Sequence, residues 1–250
     1  VIAALLLITQ LAATFPAKPS PPSPAAPGSP APLAPAVILA RYAAALHTLK
    51  EPRVITFDYT LEQTGPRSIS QTHRVFRSDN DERDETLSND GRTLKQPLVR
   101  IFRGRRNRYT VARLAPRTDQ YDFVFVGPRR NARHFDYVFR LTPKTLRPYT
   151  VTDVTIDGVR FLPLAIEFAT GQNEGQGTVA FGSNARWWVP YAANARAVVA
   201  DDTATERLTF YTYRFPPNLP GSTFTQARRL PAPLSYPLKS ETPVIPHRAP

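Results

Sequence analysis

At 250 residues, 42% of them hydrophobic and 21% charged, the chain carries enough apolar material for a sizeable core and is not globally disordered. It contains no cysteine, which excludes a disulfide framework, thiolate metal sites and a lipid-modified cysteine after the apolar start. The formal net charge of +12 comes mostly from arginine and favours anionic partners such as a phospholipid surface, although a charged soluble surface explains it equally well.

Residues 1–13 (VIAALLLITQLAA) form an apolar run broken only by Thr9 and Gln10 and followed by small residues. A secretory signal has an apolar stretch of roughly 7–15 residues before such a site, and a spanning helix needs about 20. Residues 1–14 are therefore expected to be a signal peptide, or an anchor if the apolar segment extends further upstream of Val1. Residues 15–35 (FPAKPSPPSPAAPGSPAPLAP) are Pro/Ala/Ser-rich and predict a semi-rigid polyproline II tether. Residues 36–50 then place Val37, Ala40, Tyr42, Ala44, Leu46 and Leu49 at roughly helical spacing, so one amphipathic helix is expected, ending at Glu51-Pro52.

From Arg53 onward the apolar period becomes two. Ile55, Phe57, Tyr59 and Leu61 alternate with polar residues, Gly65-Pro66 turns the chain, and 68–78 returns. A short strand is expected around Glu85–Leu87, a turn at Asn89-Asp90-Gly91, and another strand over 98–103. Segments 121–126 and 135–141 read as a hairpin pair, 149–156 runs to a turn at Asp157-Gly158, and 162–168, 178–181, 187–189, 195–199 and 207–215 complete the series. The predicted domain spans 36–226 and is mainly β, an antiparallel meander with one helix. Residues 227–250 are again proline-rich and are expected to form a loosely docked tail.

Catalytic motifs are missing from the sequence. There is no GxSxG elbow, no GxGxxG or Walker-type loop, and none of His47, His73, His134 and His247 stands in a metal-ligand spacing. The Gly-rich 171–177 segment joins two strands and reads as a hairpin loop. The carboxylate pairs Asp81/Glu82, Asp84/Glu85 and Asp201/Asp202 read as solvated loop residues. Neither enzyme activity, a cofactor nor a metal is expected. Arg100, Arg103, Arg105, Arg106 and Arg108, with Phe102 and Tyr109 between them, read first as solvated surface, then as a contact for anionic lipid; nucleic acid is not an expected partner.

Two segments carry a family resemblance: YTVTDVTIDGVRFLPLAIEF at 149–168, and LTFYTYRFPPNLPGSTF at 208–224. Together they resemble the C-terminal half of the LolA/LolB-type outer-membrane lipoprotein-sorting (lipoprotein-carrier) superfamily. That resemblance implies a curved antiparallel sheet forming an incomplete β-barrel, with the N-terminal helix closing its concave side. It further implies a periplasmic or cell-envelope protein that holds the acyl chains of a lipid or lipoprotein in an apolar cavity, and that has a partner in the envelope. Regulators resembling these carriers offer the alternative of a structural or sensing module without transport. The candidate cavity lining is Ile55, Phe57, Tyr59, Leu61, Phe123, Phe125, Phe135, Tyr137, Phe139, Leu164, Ile166 and Phe168, each of which competes with a reading as ordinary core. The family's carriers also use an arginine inside the cavity, to which the sequence assigns no residue.

Overall fold

The computed structural model describes residues 32–66, 68–78, 81–104, 109–131, 134–145, 149–170, 175–199 and 202–225. The signal-like start, most of the proline tether, the tail, Arg105, Arg106, Arg108 and residues 171–174 lie outside them. Helix α1 (Pro35–Thr48) starts with proline in its first turn, where a missing N–H costs nothing. Leu49 is already extended, three residues before Pro52. Eleven strands follow: β1 (Ile55–Thr64), β2 (Ile69–Arg77), β3 (Glu82–Asn89), β4 (Arg92–Phe102), β5 (Tyr121–Arg130), β6 (Phe135–Pro143), β7 (Tyr149–Ile156), β8 (Pro163–Thr170), β9 (Gly175–Asn184), β10 (Trp187–Val199) and β11 (Asp202–Arg214). A one-turn helix α2 (Val111–Leu114) lies in the β4–β5 connection, and a 3₁₀ turn (Gly221–Phe224) follows β11.

All strands join one antiparallel sheet in the order β4-β3-β2-β1-β11-β10-β9-β8-β7-β6-β5. The first and last strands pair at its interior, and the edges β4 and β5 stay apart, so the barrel is incomplete. Sheets of this width curl rather than stay flat. One alternating face of β1 and β5–β11, together with α1 and α2, forms a single buried cluster that includes Ile38, Tyr42, Phe57, Val111, Phe139 and Phe181. The β4–β5 connection crosses that inner face from one edge to the other, and Tyr42 Oη donates to Pro116 O at 2.9 Å, fastening helix to crossing. Among the described residues no helix is long and apolar enough to cross a membrane.

The mainly β class, the open curved sheet and the N-terminal helix agree with expectation, and several details do not. The buried stripe of α1 runs through Ile38 and Tyr42, while Val37 is 41% exposed. Ala40 and Ala44 also face solvent, because the large Tyr42 anchor sets the helix rotation and small alanines cannot compete. Strand β10 is continuous where two fragments were expected, its break in pattern being a register irregularity at Pro190–Ala192. Strand β3 is a full strand, so Glu82, Asp84 and Glu85 are not loop carboxylates. Strand β4 begins at Arg92 and tolerates Pro97 because it is an edge and loops out opposite Thr86–Ser88. The Asp90-Gly91 turn has φ of 50° and 75°, the two positive values that a tight β-hairpin of this type needs.

Candidate functional site

A cleft lies at one end of the sheet, where β1, β10 and β11 meet the α1–β1 and β4–β5 connections. Two irregularities shape that end. Between the pairs Asp58↔Tyr211 and Thr56↔Arg214, β11 carries an extra residue. Thr212 takes it up at φ 53°, a strained value for a β-branched side chain. The phase shift turns Tyr213 to the same side as Phe210, so both rings reach Phe57, at centroid distances of 5.4 and 5.9 Å. On β10 the irregularity at Pro190–Ala192 lets Tyr213 Oη donate to Pro190 O. It leaves Tyr191 51% exposed.

The result is an aromatic cleft of about 60 Å³ walled by the sheet residues Phe57, Trp188, Phe210 and Tyr213, with Glu51 and Pro52 on one lip and Tyr109 and Thr110 on the other. Tyr109 packs on Phe210 at 6.0 Å, and Trp188 Nε1 donates to Pro163 O at 2.8 Å. Arg77 places its guanidinium 5.2 Å from the Phe57 ring centre and pairs with Glu82 at 2.6 Å. Burial pushes the Tyr109 and Tyr213 phenols up, so both are neutral apolar-bodied donors. Thr110 Oγ1 is buried without a hydrogen-bond partner. Such a group costs on the order of 1–3 kcal/mol when left unsatisfied.

The predicted lining residues divide between this cleft and the packed core. Ile55 and Phe57 line the cleft. Leu61, Tyr137, Phe139 and Ile166 are buried in the core cluster, with Phe139 fully enclosed. Phe123, Phe125, Phe135 and Phe168 are partly buried against it, and Leu164 is half-buried where the β7–β8 register breaks. Tyr59 stacks on His73 at 4.5 Å and donates to Asp84 Oδ2 at 3.1 Å, turning it toward β2 and β3. Sequence reasoning missed Trp188, Tyr109, Phe210 and Tyr213 as a set. The signal was the spacing in LTFYTYRF, where the inward residues run 208, 210, 213 and 215 rather than in strict alternation.

A second grouping was also missed. The β7–β8 turn approaches the start of β6 so closely that a Cβ on Gly158 would stand 1.7 Å from Phe135 O. This brings Asp157 beside Asp136 and His134. The sequence shows no metal-ligand spacing at His134, and its separation from Asp157 in the chain hid the grouping. His73, on β2, is 4% exposed and satisfied, with Nδ1 on Asp84 at 2.8 Å and Nε2 on Gln71 at 3.1 Å.

No family model and no curated protein matches the chain. Solved structures do. A LolA superfamily protein from Nitrosomonas europaea aligns at 12% identity over 78% of this chain and 99% of its own, with a TM-score of 0.42. A DUF1329 family protein from Desulfovibrio piger aligns at 9% identity over 75% and 96%, TM-score 0.44. A putative outer membrane lipoprotein-sorting protein domain from Vibrio parahaemolyticus aligns at 12% over 76% and 95%, TM-score 0.45. The chain is similar to a LolA-superfamily protein and to a lipoprotein-sorting domain, in each case at 12% identity.

Proposed function

We propose that the protein is a non-enzymatic, extracytoplasmic carrier that takes an acyl chain of a lipid or lipoprotein onto its inner face through the aromatic cleft. The observation that carries this reading is the cleft itself: rings on three sides, an unpartnered hydroxyl on the wall, and one arginine at the rim. Burial of an acyl chain contributes about 0.8 kcal/mol per methylene, so binding needs no catalytic group. Arg77 is the cation that meets the carbonyl or carboxylate head. A volume of about 60 Å³ is far below the roughly 300–1,000 Å³ of small-molecule sites. On this reading the described state is closed, and loading displaces the two lips, 51–54 and 109–110, which are not strand. The basic surface then favours an anionic membrane as the place of exchange.

The test is native mass spectrometry of the full chain with palmitic acid and with a palmitoylated peptide. One bound acyl chain is expected, with Tyr213→Glu lowering occupancy tenfold or more while circular dichroism stays unchanged. Wild-type protein that binds neither probe overturns the proposal. The small cleft favours a second reading, an envelope module that docks a partner protein without carrying lipid. Failure of both probes, together with retention of one envelope protein by immobilised wild type and not by the Tyr213→Glu variant, would select it.

A further inference from the structure

At the corner where the β5–β6 hairpin meets the β7–β8 turn, three side chains turn donor atoms toward one point. His134 Nε2 lies 3.1 Å from Asp136 Oδ1 and 3.4 Å from Asp157 Oδ1. One ligand atom from each residue lies within 4.8 Å of the others. Asp136 and Asp157 are 6% and 7% exposed. His134 Nε2 is buried and makes no hydrogen bond despite these approaches, because neither oxygen lies in line with a ring N–H.

The remaining carboxylate oxygens are held by the fold. Asp157 Oδ2 accepts the backbone N–H groups of Val159 at 3.2 Å and Arg160 at 2.6 Å. Asp136 Oδ2 accepts from Asn131 Nδ2 at 3.3 Å, and the Gly158 N–H reaches Asp136 Oδ1 at 3.4 Å. Outer contacts of this kind fix which oxygen faces inward, as they do around metal centres. Arg160 turns its guanidinium elsewhere, onto Ser183 Oγ at 3.0 Å and the Trp188 ring.

Two enclosed carboxylates and one imidazole leave net negative charge in a poorly solvated corner, an arrangement that is costly unless a cation compensates it. Metal–ligand bonds of about 2.0–2.2 Å put the ligand–ligand edges of a tetrahedral site at about 3.3–3.6 Å. The His134–Asp157 approach of 3.4 Å falls within that range and the His134–Asp136 approach of 3.1 Å just under it. Imidazole with carboxylates suits a first-row transition dication better than Mg²⁺ or Ca²⁺, which prefer all-oxygen sites. We propose that His134, Asp136 and Asp157 bind one such dication, Zn²⁺ in type, clamping the β7–β8 turn to the β5–β6 hairpin. The His134 side chain is 29% exposed and gives the ion its way in.

The full chain, stripped with chelator, is loaded with Zn²⁺, Mg²⁺ or Ca²⁺, desalted and assayed for bound metal, and its melting temperature is recorded. One retained Zn²⁺ per chain is expected, with a rise of about 5–10 °C at a hundredfold excess over Kd. Mg²⁺ and Ca²⁺ do neither. His134→Gln, at a partly exposed position, and the isosteric Asp136→Asn each abolish retention while circular dichroism shows the fold intact. Zn²⁺ retained equally by both variants overturns the proposal, as does no retention by wild type. So does ¹⁵N NMR showing His134 protonated on both nitrogens and unmoved by Zn²⁺, the signature of a histidine that simply pairs with two carboxylates.

Discussion

Strands β5–β9 and strands β2–β4 belong to one sheet and fill their inner faces differently. Under α1, the first group buries Tyr137, Phe139, Val154, Ile156, Ile166 and Phe181. The second buries a single aliphatic side chain, Val75, beside His73, Asp84 and Thr86. The apolar wing gains from area removed from water, which tolerates approximate fit. The polar wing depends on complete hydrogen bonding, since an unmet buried polar group costs more than a met one contributes. That requirement is satisfied by a chain of contacts from Asn89 through Gln71, His73 and Asp84 to Tyr59. Burial and the neighbouring Asp84 charge push the Tyr59 phenol up, so it remains a donor to that carboxylate. The aromatic cleft lies between the two wings, where β1 and β11 pair.

Truncation should separate the wings most strongly on the apolar side. Phe139→Ala, at a fully enclosed ring, is expected to cost about 3–5 kcal/mol, read from the denaturant midpoint. Equal loss from Val75→Ala would break the comparison. On the polar side Asp84→Ala is expected to cost about 2–4 kcal/mol by stranding His73 and Tyr59. Adding His73→Leu should recover part of that loss, with a coupling energy of about 1–3 kcal/mol in a double-mutant cycle. Additive losses would show that the network is not the unit supposed here.

The smallest effect concerns Glu206, which sits on the inner face of β11 and whose carboxyl is pushed above its ordinary 4.5 by burial. Folding then favours the protonated form. The associated stability is complete below about pH 4.5 and is lost as pH rises through the folded value. Glu206→Gln should therefore melt higher than wild type at pH 7, and the gap should close at pH 4. A gap that is unchanged or wider at pH 4 would refute the assignment of Glu206 as desolvated.

The strand series was legible because alternation such as Ile55/Phe57/Tyr59/Leu61 states both conformation and buried face, and Asn89-Asp90-Gly91 states a turn. The helix was legible in place but not in rotation, since Val37 and Ile38 offer nearly equal apolar anchors and only packing against the sheet chooses between them. The cleft was hidden by bulges. One inserted residue leaves no composition signal, only a change of phase at Thr212, and its effect depends on which strand stands opposite. In the His134–Asp136–Asp157 group, the first two residues stand two apart where the β5–β6 connection enters β6, but the third arrives from the β7–β8 turn. Pairing Asp157 with them needs the β6–β7 register, which is a tertiary fact.

The meeting of β1 with β11 at the interior of the sheet also governs the order in which the protein is completed. A ribosome or a translocation channel delivers β1–β4 first, as a meander held by local hairpins, and β1 must then wait with one open edge until the last strand emerges. All of β5–β10 is made in that interval. Late closure of a long-range pairing is slow, and an unpaired edge invites association with other chains. The β1–β11 seam is thus the step at which assembly commits. A binding protein that guards β1 during synthesis would improve yield without leaving any mark on the finished structure.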